Sequence, residues 1–409
     1  MYEPREDTYL ILKEIKAYAR GNVLDMGTGT GILAAAASKT ADFVIGTDIN
    51  EEALDYARKA AKIKEIKNIE YIRSDLFSYF RRNSMKFDLI IFNPPYLPED
   101  KREPADSAEA TTGGKKGYEV IERFFSEANR YLTPFGKILI VFSTLTGKDK
   151  IHSILEEYGF NYQKLSEKEI FQETLFVYIA EKKDLIRSLE ANGVERAKRL
   201  TKGRRGEIFT GRMGSKKVAV KKQREDIEAA GRIKNEARWL KVLNRKGIGP
   251  KFLFTEDEYF VYEFVEGDFL PDFLEKTKGK RKIKNILKDV FRQCFKLDKM
   301  GVNKEEMHNP FKHVIVKDEK PVMIDSSSSK TNRISKTPKV VLIDFERTHA
   351  TEKPKNVTQF CQYVSSKKVL KMLEDNNFKY NRSQISSAAK RYKKNMSEKN
   401  FKKILKLLK

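Results

Sequence analysis

Short apolar runs punctuate the front half of the chain at Asn22–Met26, Phe43–Thr47, Ile69–Ile72, Phe87–Phe92 and Lys137–Phe142. Between them lie stretches with helical spacing of apolar positions, chiefly Glu51–Ile63 and Tyr118–Tyr131. Strands alternating with helices in this order predict a parallel sheet covered on both faces. Two further runs, Asn161–Leu165 and Thr174–Ala180, follow without a long helix between them. They predict an antiparallel pair at one edge. A domain boundary is expected near Lys183, where the last strand ends in Glu-Lys-Lys-Asp.

Beyond the boundary the rhythm changes. From Asp184 a basic segment expected to be helical leads into Gly203-Arg-Arg-Gly206-Glu-Ile-Phe-Thr-Gly211. Strands are expected at Lys217–Lys221, Lys251–Thr255 and Tyr259–Glu263, with a helix over Arg232–Asn244 and another from Lys284 to Met300. Apolar runs at Val322–Ile324 and Val340–Ile343 flank Ser326–Pro338, whose Ser/Thr/Lys composition predicts a flexible loop. Residues 351–409 hold 16 Lys and Arg against 4 Asp and Glu, which suggests a basic helical tail. The expected architecture is therefore an α/β sheet domain over residues 1–183, a second α+β domain over 184–350 and that tail.

Composition sharpens the division. The 409 residues suffice for two ordinary domains, and 40% apolar content supports real cores. Two cysteines, Cys294 and Cys361, build neither a disulfide framework nor a cysteine-rich metal site. The opening Met1-Tyr-Glu-Pro is no signal peptide, and no apolar run approaches the ~18 residues of a membrane span. The expectation is a reduced, cytoplasmic protein without membrane contact. The net charge is +24, yet residues 1–183 carry −2 and the remainder +26. The basic half is expected to attract RNA, ribosomes or an acidic protein through counterion release. A lysine-rich surface that binds nothing in particular has the same composition.

The front half carries the sharper chemistry. Val23-Leu-Asp25-Met-Gly27-Thr-Gly29-Thr-Gly31 reads as a strand entering a glycine-rich turn before an alanine-rich helix. Such a turn lets backbone approach a ligand at the carboxyl end of the first strand. Asp48 closes the second strand, where a carboxylate accepts ribose hydroxyls, and Asp75 follows the third, where it could hold an adenine amino group. Either aspartate alone is more often a helix cap. Asn93-Pro94-Pro95-Tyr96 closes the fourth strand. Its prolines stiffen the backbone, so the Asn93 side chain and the Pro94 carbonyl offer two acceptors to the N–H groups of one planar NH₂. With the Tyr96 ring packed on the planar group, this grip localises a delocalised lone pair toward an adjacent methyl sulfonium.

These residues resemble the S-adenosylmethionine-dependent N-methyltransferases of the HemK/PrmC family over residues 1 to about 183. The opening Tyr2-x-Pro4-x-Glu6-Asp7-Thr8-Tyr9-Leu10 is similar to the archaeal and eukaryotic branch, as is Thr112-Gly113-Gly114-x-x-Gly117. The resemblance implies a seven-stranded Rossmann-like sheet and methylation of the glutamine amide in the Gly-Gly-Gln loop of a class 1 release factor. Asn93 and Pro94, with Tyr96, would carry the amide clamp. Thr8, Asp25, Gly27, Gly29, Gly31, Asp48, Asp75, Leu76 and Asn93 would line the methyl-donor site. The same tetrapeptide serves adenine-type amino methyltransferases that hold a flipped base. That alternative makes the basic half an RNA- or ribosome-docking arm. The slightly acidic front half favours a protein acceptor.

The back half holds an ordered set of its own. Gly203 to Gly211 could form a flap over phosphates, and Val218-Ala-Val-Lys221 ends in a lysine able to pair with them. Glu236 on the following helix could orient that lysine, Tyr262-Glu-Phe-Val265-Glu-Gly reads as a hinge, and Asp344 could bind magnesium. From Gly203 to Thr348 this resembles a small archaeal protein-kinase-like family allied to the RIO kinases, which implies a bilobal fold binding ATP and Mg²⁺. The pattern departs from protein kinases at Asn303-Lys-Glu-Glu306-Met-His308-Asn-Pro310-Phe-Lys312-His313. Glu306 falls at the base position, and Lys312 or His313 falls where a metal ligand stands. That departure puts phosphoryl transfer in doubt more than nucleotide binding.

Overall fold

The computed structural model describes residues 4–83, 85–99, 111–203, 206–223, 231–317, 339–378 and 380–408. The chain divides into two compact units. One holds the chain up to Lys202 together with Phe209–Lys216; the other holds Gly203–Ile208 and the chain from Lys217 onward. Ser326–Pro338 and Val322–Ile324 lie outside the described residues.

The first unit opens with α1 (Glu6–Tyr18), β1 (Asn22–Met26), α2 (Ile32–Ala37), β2 (Phe43–Asp48), α3 (Glu51–Ile63), β3 (Ile69–Arg73) and β4 (Phe87–Phe92). It continues with α4 (Glu119–Tyr131), β5 (Leu132–Ser143), α5 (Lys148–Glu157), β6 (Phe160–Ile170) and β7 (Glu173–Lys182). Seven strands form one sheet in the order β3-β2-β1-β4-β5-β7-β6. The pairs from β3 to β5 are parallel, while β7 runs antiparallel to both β5 and β6. This is the Rossmann-like sheet with an antiparallel edge that the strand pattern predicts. The central strands are apolar throughout because both faces are covered: β4 is buried from Leu89 to Phe92. On α4, Ile121, Phe124, Phe125 and Ala128 form the buried stripe and pack over Phe77 and Phe92. Asn50 caps α3, accepting hydrogen bonds from the Glu52 and Ala53 amides.

The first unit extends past Lys183. Residues expected to begin the basic half form α6 (Asp184–Ala191) and β8 (Glu195–Lys202), a strand where a helix is expected. Charge pairing draws them in. The Lys182 ammonium is fully buried, donating to Glu190 at 2.6 Å and to the Leu132 carbonyl at 3.2 Å. Arg199 and Lys198 pair with Glu156 and Glu157 on α5.

β9 (Gly206–Met213) takes up the segment expected as a glycine-rich flap; Arg204 and Arg205 lie outside the described residues. In the second unit, β10 (Lys216–Gln223), β11 (Phe252–Thr255) and β12 (Tyr259–Glu263) pair antiparallel, and α7 (Arg232–Asn244) stands between β10 and β11 in sequence. After β13 (Asp268–Phe269) and α8 (Leu270–Lys276) comes the long α9 (Lys280–Lys299). β14 (Val302–Asn303), β15 (Val314–Lys317), β16 (Lys339–Leu342) and β17 (His349–Ala350) form short antiparallel pairs.

The last helices are α10 (Asn356–Val364), α11 (Lys367–Glu374), α12 (Arg382–Lys394) and α13 (Glu398–Leu407). Residues 351–409 are therefore no appended tail. Phe360, Tyr363, Leu373, Tyr392, Phe401 and Ile404 are buried in one core with Leu287, Val290 and Phe291 of α9. A polar tie locks the arrangement: Asp298 accepts hydrogen bonds from the Asn356 amides and the Tyr392 hydroxyl. Cys294 and Cys361 are buried free thiols. Among the described residues, no helix is long and apolar enough to cross a membrane.

Candidate active site

A cavity of about 430 Å³ opens at the carboxyl ends of the parallel strands. Its walls carry Thr8, Gly27, Gly29, Asp48, Asp75, Leu76, Asn93, Pro94 and Tyr96, so residues from four strand ends and from α1 converge. Gly27 and Gly29 have positive φ. A ligand can therefore approach the turn's backbone without meeting a side chain.

Two predicted residues stand back from the cavity. Asp25 is fully buried, and its Oδ2 accepts hydrogen bonds from the Thr28 hydroxyl at 2.6 Å and the Ala34 amide at 2.9 Å. It braces the turn from behind and contacts no ligand space. Gly31 adopts φ +76 at the start of α2, and a Cβ there would lie 2.6 Å from the Tyr71 hydroxyl. It serves close packing. Burial pushes the Asp25 carboxyl up to about 7, against the Thr28 and Ala34 hydrogen bonds. Because the folded state then binds a proton that the unfolded chain releases near pH 4, stability from this group falls as pH rises from about 4 to 7. Asp25→Asn is expected to flatten that slope, worth on the order of 4 kcal/mol across the window. Urea unfolding of both proteins at pH 5 and pH 8 checks this.

The remaining aspartates are already engaged. Asp48 accepts from the Gly29 amide through Oδ2 and from the Asn50 amide through Oδ1, both at 2.9 Å, which holds the turn against β2. An ionised carboxylate has about four acceptor sites, so two remain for ribose hydroxyls. Asp75 is paired with Arg123 of α4 at 2.8 Å, a partner no sequence spacing reveals. Leu76 sits at φ 46 and lines the cavity.

The Asn93-Pro-Pro-Tyr corner is buttressed from behind. The segment from Thr111 pairs with Leu97: the Leu97 amide donates to the Thr111 carbonyl and the Gly113 amide to the Leu97 carbonyl. A Cβ on Gly113 would come within 2.5 Å of the Pro95 carbonyl oxygen, so only glycine permits this approach. The Thr146 hydroxyl donates to the Tyr96 carbonyl at 3.1 Å. At the front of the corner, the Asn93 amino group donates to Asp7 Oδ2 at 3.1 Å and to the Thr8 hydroxyl at 3.4 Å. Asn93 Oδ1 is buried with no hydrogen-bond partner. A buried orphan acceptor is costly; Asn93 lines the cavity, as does Glu173, whose Oε2 is likewise buried without a partner.

The second unit gathers its own predicted residues. Lys221 Nζ lies 2.6 Å from Glu236 Oε2 and 3.0 Å from Asp344 Oδ1. Glu236 also accepts from the Phe345 amide at 3.0 Å. Burial raises Glu236 and works against the charge on Lys221, yet the two carboxylates hold the Lys221 ammonium well above its usual range. Lys221 and Lys304 keep Asp344 below the usual carboxylate range despite its burial. His313 Nε2 lies 2.7 Å from Glu306, while Nδ1, 3.5 Å from Asp344 Oδ2, makes no hydrogen bond. Lys304 is buried, donates to the Asp344 carbonyl at 2.9 Å and is pushed down to about 8 by desolvation. Glu306 and Asp344 both adopt positive φ, a cost of roughly 1–3 kcal/mol each that clusters at functional sites. His308 and Lys312 are exposed.

The Methyltransferase small domain family matches residues 6–172. A putative protein N5-glutamine methyltransferase of Methanocaldococcus jannaschii is 40% identical over 166 residues, which is 40% of this chain and 82% of that protein. The human methyltransferase HEMK2 is 30% identical over 43% of this chain and 87% of its own length. A solved Mtq2–Trm112 complex from E. cuniculi, described as responsible for methylation of the eRF1 translation termination factor, shares 28% identity over 44% of this chain and 98% of that one, with a TM-score of 0.37. With cavity, glycine turn and matched sequence coinciding, the chain belongs over its first unit to the HemK/PrmC-type family of S-adenosylmethionine-dependent methyltransferases.

Proposed function

We propose that the first unit methylates the side-chain amide nitrogen of the glutamine in the Gly-Gly-Gln loop of a class 1 translation release factor. The orphan oxygen of Asn93 carries this reading, because it is a buried acceptor lacking an N–H on a residue that lines the cavity. The names of the M. jannaschii and Fusobacterium nucleatum relatives, a glutamine and a release factor glutamine methyltransferase, agree with it. S-adenosylmethionine, held by the Gly27–Gly29 turn, Asp48, Asp75 and Leu76, supplies an electrophilic methyl group when bound. The chain's own part is to grip both amide hydrogens through Asn93 Oδ1 and the Pro94 carbonyl, with Tyr96 bounding the flat group. That grip turns the nitrogen lone pair toward the methyl carbon. A bound donor would supply the methyl group and would take the S–C bonding pair with its sulfur, while Asn93 Oδ1 and the Pro94 carbonyl hold the amide hydrogens, one of which the nitrogen would give up to solvent.

Mass spectrometry of a release factor incubated with the protein and methyl donor tests the assignment. One added methyl group on the Gly-Gly-Gln glutamine is the expected result. Transfer of label to nucleic acid, with the release factor unmodified, would replace it by the amino-methyltransferase reading.

For the second unit, the Lys221–Glu236–Asp344 cluster supports a kinase-like site that binds ATP and Mg²⁺. Lys221, oriented by Glu236, would meet the phosphates and Asp344 the metal, while Glu306 occupies the base position. The basic surface of this unit fits RNA or ribosome docking. Binding of RNA by the full chain should weaken steeply with added salt, as counterion release requires; salt-independent or absent binding removes that role.

A further inference from the structure

We infer that Asp7 is a positioning residue that fixes which end of the Asn93 side-chain amide faces the acceptor substrate; this rests on the amide-clamp reading above. The two ends of an asparagine amide are nearly the same size and shape, yet chemically opposite. With the oxygen toward the cavity, Asn93 grips an incoming N–H. With the amino group there instead, it offers a donor to a donor and repels the substrate. The tetrapeptide alone does not choose between these orientations, since a rotation of about 180° about one soft side-chain torsion exchanges them.

Asp7 makes the choice. Its carboxylate is acceptor-only when ionised, so it tolerates just one end of the amide, the amino end. Asn93 Nδ2 donates to Asp7 Oδ2 at 3.1 Å, and the Thr8 hydroxyl, 3.4 Å away, receives the other N–H. Both donors of Asn93 are thus consumed on the α1 side, and Oδ1 is left buried and without a partner on a residue that lines the cavity. Asp7 is itself held, because its Oδ1 accepts from the Thr8 amide at 2.6 Å and lies 3.3 Å from the Thr8 hydroxyl. Asp7 is only 3% exposed and Thr8 4%, so the pairing is shielded from competing water. A carboxylate in the first turn of a helix is ordinarily solvent-facing and serves the helix dipole. Here it is turned inward onto a residue 86 positions away.

Orientation is the chemistry of this site, because among the described residues that line the cavity no strong base is at hand and the planar nitrogen reacts only when its hydrogens are held. Losing the lock therefore lowers the rate constant and leaves donor binding nearly untouched. Asp7→Ala is expected to reduce kcat for release-factor methylation by about 10²-fold while shifting donor affinity less than about 3-fold. Asp7→Asn retains one acceptor oxygen but can also present a donor; it should recover a substantial part of the rate. The decisive measurement is a double-mutant cycle with Asn93→Ala. If Asp7 acts through Asn93, the Asp7→Ala/Asn93→Ala protein is no slower than Asn93→Ala alone. A purely structural aspartate would instead lower thermal stability, add its loss to that of Asn93→Ala and show no recovery in Asp7→Asn; that pattern overturns the inference. Full activity of Asp7→Ala beside an inactive Asn93→Ala protein also overturns it, with the clamp intact. Full activity of Asn93→Ala would remove the clamp reading itself, and the inference with it.

Discussion

Asn93→Ala is expected to lower methyl transfer to the release factor by about 10²–10³-fold while donor affinity stays within a few-fold of the parent protein. The substitution deletes a buried side-chain acceptor that has no hydrogen-bond partner, on a residue that lines the cavity. Its hydrogen bond to the substrate strengthens as the amide nitrogen loses its delocalised lone pair, so the loss falls on the transition state more than on the ground state. Pro94→Ala should be milder, because the carbonyl that supplies the second acceptor belongs to the backbone and survives the change; only the stiffness of the corner is lost. Radiolabel transfer at saturating donor, beside calorimetric titration of the donor, separates the two effects. Equal impairment of donor binding and rate in Asn93→Ala would place Asn93 in the donor site and not at the acceptor nitrogen.

The second large effect concerns Lys221. Lys221→Met should destabilise the second unit by about 3–5 kcal/mol and abolish ATP binding, because Glu236 is only 4% exposed and loses its counter-charge. Replacing both partners, as in Lys221→Met/Glu236→Gln, should restore much of the stability without restoring nucleotide binding, since no charge is then stranded. The chain has a single tryptophan, Trp239, buried on α7 beside this cluster's helix face, so its fluorescence during urea unfolding reports on this unit. An unchanged unfolding midpoint in Lys221→Met would mean that the Lys221–Glu236 pair does not form in solution. Undiminished ATP binding in the same protein would remove the nucleotide reading of the second unit.

Much of the fold was legible because its signals are local. Strands β1, β2 and β4 are covered on both faces, so each reads as a largely apolar run, and alternation with helices implies parallel pairing. Helix α3 over Glu51–Ile63 and helix α7 over Arg232–Asn244 begin and end where spacing predicts. The segment Asp184–Lys202 was harder to read. Its lysines and arginines suggest a solvated basic stretch, whereas Lys182, Lys198 and Arg199 find carboxylates on α5 and α6 that convert surface charge into packing. Residues 351–409 misled for a related reason: lysines on the outward faces of α12 and α13 dominate the composition and mask the buried Tyr392, Phe401 and Ile404 beneath.

The sequence by itself determined the strand order's local units, the glycine turn and the tetrapeptide corner, since each is written in a few consecutive residues whose backbone preferences and apolar spacing need no distant partner. Tertiary structure alone decided what the acids do. Asp25 braces a turn, Asp75 meets Arg123 48 positions away, and Asp7 meets Asn93 across 86. A carboxylate's role depends on how deeply it is buried and which donors the folded chain brings to it; burial, and distant donors such as Arg123 and Asn93, are not written in its neighbours along the chain.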